Sequence, residues 1–326
     1  MDRPAAGLLL LAALVPFLGL IQGLPVVHDI FVSDLLHAGL PYRALLGESL
    51  REGTFPLWMS GAFSGVPLLA QIEAGALYPP HLLLFGLLSP MKALSAALLL
   101  DVLTAATGAW VLARQAGCSR LTASFAAVAF GASGFFISHT RHPNMHAAAS
   151  WLPWLFVAQE RVLRGARWGG PALALVFALE VAAGHPQIAY YAGLALVVRG
   201  IWRLREGWRP AAVQAGALLL GGCLLAAQLL PTVAFTSESL GKVEPTWAYA
   251  SAFPFRFQDL PVLIWPSLVG SMETYDYQGA GSLPWGNYGF AGLSTLVLAL
   301  TAMVQDRRRA LGWALAAGLA LVLVLG

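Results

Sequence analysis

The segment VVHDIFVSDLLH, residues 26–37, places two aspartates and two histidines directly behind an apolar run, in a chain with only 11% charged residues. A carboxylate in such a place can take a proton from a hydroxyl or ligate a metal. Asp29 and Asp34 lie five apart, which puts them on different faces of a single helix. They converge only if the chain turns between them, and Ser33 allows that turn. The ordinary reading stands beside the chemical one: both acids are solvated, ending one hydrophobic segment and capping the next.

His139, His142 and His146 are spaced three and four apart. On one helix they would share a face and could bind a metal. Pro143 suits a first helical turn, however, so His139 and His142 are expected in the turn before it, as interfacial polar groups. Arg141 beside them could hold a phosphate; Arg256 and Lys242 are further candidates. GHPQ, residues 184–187, reads as a tight turn whose His185 and Gln187 could hydrogen-bond a hydroxylated substrate. Trp58, Tyr78, Trp247, Tyr249 and Trp285 could stack on sugars, although aromatic belts at membrane interfaces have the same composition. Neither G-x-x-x-x-G-K-[ST] nor a strand-linked G-x-G-x-x-G occurs, and no basic patch supports nucleic-acid binding.

The elements that must position these groups are hydrophobic. The chain has 326 residues, 58% hydrophobic, with a formal net charge of +3 and a mean hydropathy of +0.70. A soluble domain carries about 25% charged residues. Long continuous apolar runs, rather than alternating ones, predict an all-α bundle of membrane-spanning helices. About nine spans are expected near 5–27, 92–113, 121–138, 146–163, 171–185, 188–201, 211–231, 287–305 and 310–326, each close to the length a bilayer requires. The first is read as a retained helix rather than a cleaved leader. The run 78–88, bounded by Pro79, Pro80 and Pro90, is too short to cross and is read as a re-entrant or interfacial helix. Cys118 and Cys223 form neither a disulfide framework nor a metal motif.

With the N-terminus inside, most Lys and Arg residues fall in short cytoplasmic connections, as topology determinants do. The segments 28–77 and 232–286 then become two loops on the external face, within one domain spanning 1–326. All seven histidines, with Asp29, Asp34, Glu73, Asp259 and Asp276, lie on that face. In the first loop, PYRALLGESLREG predicts a short amphipathic helix, with Tyr42, Leu45, Leu46 and Leu50 on one side and Arg43, Glu48, Arg51 and Glu52 elsewhere, ending at Gly53. Asp101 and Glu180 lie within spans and are expected to face the bundle interior.

The pieces SDLLHAGLPYRALLGESLREGTFPLWMSGAFSGVPLLAQIEAGALYPPHLLL, HAAASWLPWLFVAQERVL, AAGHPQIAYY, AAQLLPTVAFTSES and NYGFAGLSTLVLAL follow one another in this order. In order and spacing they resemble the bacterial YfhO-like membrane protein family, over residues 20–305. That family is similar to the GT-C superfamily of membrane glycosyltransferases. The resemblance implies a many-helix bundle in the bacterial cytoplasmic (inner) membrane, with interfacial helices in the first external loop. It implies a polyprenyl-phosphate-linked sugar as donor and an envelope glycan, such as a teichoic-acid-like polymer or a lipid-linked glycan, as acceptor. It also implies an Asp just after helix 1 as base. Asp34 lies in the piece that matches best; Asp29 is nearer the helix end. His37, Arg43, Glu73, Tyr78, Arg141, His142, His185, Gln187 and Arg256 are the side chains expected to contact substrate. No cofactor is implied with certainty; a divalent metal is the one such a site could take. Members are commonly longer, and a chain ending in ALGWALAAGLALVLVLG is expected to be a fragment of such a protein. The rival expectations are a transporter or lipid flippase, with Asp101 and Glu180 as relay groups, and a structural membrane subunit.

Overall fold

The computed structural model describes residues 7, 11–21, 34–61, 64–238, 246, 255–270 and 289–325. It is all-helical, with 79% helix and no strand among the described residues. An antiparallel bridge joins Met59 and Val66. The chain divides into two compact units: Met1–Gly131 with His139–Leu240, and Ala132–Ser138 with Gly241–Gly326.

In the first unit, α1 (Leu40–Arg51) follows a π-helical turn, Leu35–Gly39, and ends at Gly53, as the sequence predicts. Its faces differ from the expectation at one residue. Glu48, Arg51 and Glu52 are exposed, but Arg43 is buried with Tyr42 and Leu46. α1 packs on α2 (Pro79–Leu87) so closely that a methyl at Gly47 would collide with the Phe85 carbonyl. Two prolines open α2, where their missing N–H groups cost nothing.

α3 (Pro90–Gln115) runs for 26 residues, about 39 Å at 1.5 Å per residue, and α4 (Arg120–Gly131) packs along it. The expected span 146–163 is two helices, α5 (Pro143–Ser150) and α6 (Leu152–Leu163). Pro153 explains the break, because it has no N–H and its ring crowds the carbonyl four residues back. α7 (Gly169–Ala182) and α8 (Pro186–Trp202) are joined by the GHPQ turn, with Gly184 at φ +96°. The expected span 211–231 is also two helices, α9 (Arg209–Leu224) and α10 (Ala226–Glu238), bent by 72° after the Gly221–Gly222 pair. α10 continues past the boundary at which a loop is expected.

Among the described residues, two helical stretches are long and apolar enough to cross a membrane, Pro90–Gln115 and Arg120–Arg141; the bent pair α9–α10 makes a third if counted as one span. α7 is apolar but shorter, as is Leu293–Gln305. In the second unit, a five-residue helix, Gly134–Ser138, donates from Gly134 N–H to the Phe290 carbonyl at 2.7 Å. It is followed there by 3-10 turns at Phe257–Leu263 and Pro266–Val269, then α11 (Leu293–Gln305) and α12 (Arg307–Leu325).

Candidate functional site

α5 begins where Pro143 predicts, with His142 as its N-cap and a 3-10 turn, His139–Arg141, before it. The π-helical turn that starts at Asp34 packs against α5. This brings His142 Nε2 to 3.9 Å from Asp34 Oδ2. Asp34 is a rim group, its side chain 82% exposed, whereas that of His142 is 10% exposed. Burial, then the neighbouring His139, Arg141 and His185, push the His142 imidazole down to about 3, so it is neutral at physiological pH.

One turn further along α5, His146 points elsewhere. Its Nδ1 lies 3.1 Å from Asp101 Oδ2 on α3, and both side chains are almost completely buried. The three histidines of the 139–146 segment therefore split into a pair, with ring centroids 5.4 Å apart for His139 and His142, and a single His146 committed to Asp101. Among the described residues no group of three or more His, Cys, Asp or Glu side chains is placed to hold a metal ion.

Arg43 lies beneath the rim. It donates from Nη1 to the Gly39 carbonyl at 2.8 Å, from Nη2 to the Glu73 carbonyl at 3.1 Å, and from Nε to His81 Nδ1 at 3.4 Å. Accepting there leaves the His81 proton on Nε2. Burial pushes the Arg43 guanidinium down to about 10, against the pull of Asp101 and Glu73, so it remains a cation at neutral pH. Burial, then Arg43, holds His81 far below the usual imidazole range. Desolvation, then Asp34, raises the exposed Glu73 carboxyl, and Arg43 opposes them.

The loop carrying Glu73 is tied from several sides. Thr232 Oγ1 donates to the Ala70 carbonyl at 2.9 Å, and Gln228 Nε2 donates to the Leu69 carbonyl. The backbone at Gly184 passes so near that a Cβ there would lie 2.5 Å from the Ile72 carbonyl oxygen. Only glycine tolerates both that approach and the positive φ.

The expected base Asp34 and the expected substrate contacts Glu73, Arg141 and His142 are brought together electrostatically, with His185 acting on His142. His185 also caps α8, its Nδ1 accepting from the Ile188 N–H at 3.3 Å. Two residues are placed differently from the expectation. Arg43 is buried and its donors face protein acceptors, because α1 turns that side toward α2. Tyr78 is 2% exposed, its ring stands edge-on to His81, and its hydroxyl accepts from Trp151 Nε1 at 3.0 Å. Neither offers a surface to a ligand; both build the floor of the cluster. His37 is exposed on the turn before α1. Gln187 is exposed and donates to Tyr191 Oη at 2.9 Å. Arg256 is exposed in the second unit, where its backbone N–H donates to Asp259 Oδ2 at 3.0 Å. Asp29, with His28, Ser33, Lys242, Trp247, Tyr249, Asp276 and Trp285, lies outside the described residues.

Comparison with known family models, with curated proteins and with solved structures finds no match. The site is therefore read from its own chemistry. It joins an exposed carboxylate, a second carboxylate, neutral imidazoles and a buried cation. The expectation that Asp101 faces the interior holds. Its partner His146, 45 residues away, had no signal in the sequence beyond being a histidine one turn after His142.

Proposed function

We propose that this chain is a membrane glycosyltransferase of the GT-C kind, with Asp34 as general base. The observation that carries the reading is Asp34 itself: a solvent-facing carboxylate at the rim of a buried polar cluster, 3.9 Å from His142. The donor would be a sugar on a polyprenyl phosphate, with its lipid in the bilayer of a bacterial cytoplasmic membrane and its phosphate at the external face. The acceptor would be a hydroxyl of an envelope glycan or teichoic-acid-like polymer. Asp34 takes the proton of that hydroxyl while its oxygen attacks the anomeric carbon. The bond from that carbon to the phosphate oxygen breaks, the polyprenyl phosphate leaves with the electron pair, and the configuration inverts. Arg141, next to His142, supplies the positive charge that the leaving phosphate requires. The many-span bundle and inside N-terminus expected from the sequence belong to this same reading.

The test uses the full-length protein in membranes supplied with a radiolabelled polyprenyl-phosphate sugar. Asp34→Asn should lower transfer by about 10²–10⁴-fold, the contribution of a general base. Asp29→Asn, measured alongside, separates the two aspartates. Unchanged transfer in both variants removes the base assignment. The Asp101–His146 pair, which joins the long helix α3 to α5, favours the second reading, transport of a lipid-linked glycan without transfer. Loss of function in Asp101→Asn with Asp34→Asn intact would select it.

A further inference from the structure

Of the buried acids that the proposed chemistry leaves unused, one has no polar partner among the described residues. Glu180 lies near the end of α7, is fully buried, and has no hydrogen-bond partner for either carboxyl oxygen among the described residues. Its neighbours on α7, Ala178, Val181 and Ala182, belong to an apolar core with Tyr78, Ala147 and Ala148. The helices packed against α7 carry His146 on α5, Glu160 and Arg161 on α6, His185 and Arg199 on α8, and Arg209 on α9. None of these side chains hydrogen-bonds to the Glu180 carboxyl.

Asp101 provides the control within the same unit. It is equally buried, but it has an imidazole nitrogen at 3.1 Å and the Arg43 cation as an electrostatic neighbour. An ionised carboxylate buried with no donor and no cation is very costly, and such a group neutralises instead.

We propose that Glu180 is a proton-binding site, a carboxyl held in its neutral form by the apolar packing of α5, α6 and α7 around it. The inference is independent of sugar transfer, because it concerns a group distant in sequence and environment from Asp34.

Two measurements on the full-length protein test it. Dicyclohexylcarbodiimide is an apolar reagent that requires the protonated acid. The acid proton passes to a carbodiimide nitrogen, the carboxylate oxygen adds to the central carbon, and the product rearranges to a stable N-acylurea. Peptide mass mapping of the folded protein in liposomes should place the adduct on Glu180 and not on Asp101, and Glu180→Gln should abolish it. Second, weakly buffered wild-type protein unfolded by detergent near neutral pH should release about one more proton than Glu180→Gln, because the exposed glutamate ionises. Glu180→Gln replaces a neutral acid by a neutral amide and should melt at the wild-type temperature. An unlabelled Glu180, an equal proton release, or a lowered melting temperature in Glu180→Gln each overturns the proposal.

Discussion

Two buried polar regions of the first unit are built in opposite ways. Where α6, α8 and α9 meet, Gln159 Nε2 donates at 2.7 Å to both the Leu196 carbonyl and Gln214 Oε1, while Gln159 Oε1 accepts from Arg199 Nη1 at 2.7 Å. Gln214 Nε2 returns to the Leu196 carbonyl at 3.0 Å. Glu160 is held by Arg199 and, at 2.9 Å, by Arg164. Short bonds and complete pairing characterise a staple. The cluster around Asp34 is anchored by Arg43 at 2.8 and 3.1 Å, but it also has contacts of 3.4 and 3.9 Å, a His81 Nε2 with no partner among the described residues, and carboxylates beside neutral imidazoles. The difference separates polar groups that hold helices together from polar groups that keep capacity for something else.

Three experiments can break or sharpen that contrast. The largest effect is expected from Asp101→Leu. It leaves His146 and Arg43 buried without their shared acid, and losing one partner of a buried pair costs about 3–5 kcal/mol. Reversible unfolding in mixed detergent measures it; a loss below about 1 kcal/mol would mean that the cluster does not depend on this pair. Next is the staple. Gln159→Leu or Gln214→Leu alone should cost about 1–3 kcal/mol by stranding the other amide. The double variant should cost less than the sum, because both partners leave together; strict additivity would show that the two glutamines are not coupled.

The smallest effect is the pH dependence of the cluster. The folded His142 is depressed to about 3, whereas an unfolded histidine titrates near its ordinary value. The unfolded chain therefore binds the extra proton first. The stability is fully present above the ordinary imidazole range and is lost as pH falls toward 3. His81 and His185, also depressed, act with the same sign. Melting temperature should fall between pH 7.5 and 5, and His142→Gln should flatten that slope; an unchanged slope would remove His142 from the cause.

Much of the local structure was legible because its causes are local. Pro143 announces α5, GHPQ announces a turn, and Gly53 ends α1. The breaks within two expected spans also have local causes, Pro153 and the Gly221–Gly222 pair, which hydropathy averaging conceals. Arg43 was not legible. Periodicity assigns an arginine to the wet face of a short helix, and nothing nearby shows that Glu73 and His81, 30 and 38 residues on, supply its acceptors. Asp101 was half legible: an acid in an apolar run faces inward, but its partner is set by the packing of α3 against α5.

The tethers on residues 69–73 have a kinetic meaning. Thr232, Gln228, Arg43 and the close-fitting Gly184 hold that loop from different helices, so it cannot swing aside without several contacts failing together. It is a wall rather than a door. A molecule approaching Asp34 from the side of residues 69–73 would meet a loop already held in place.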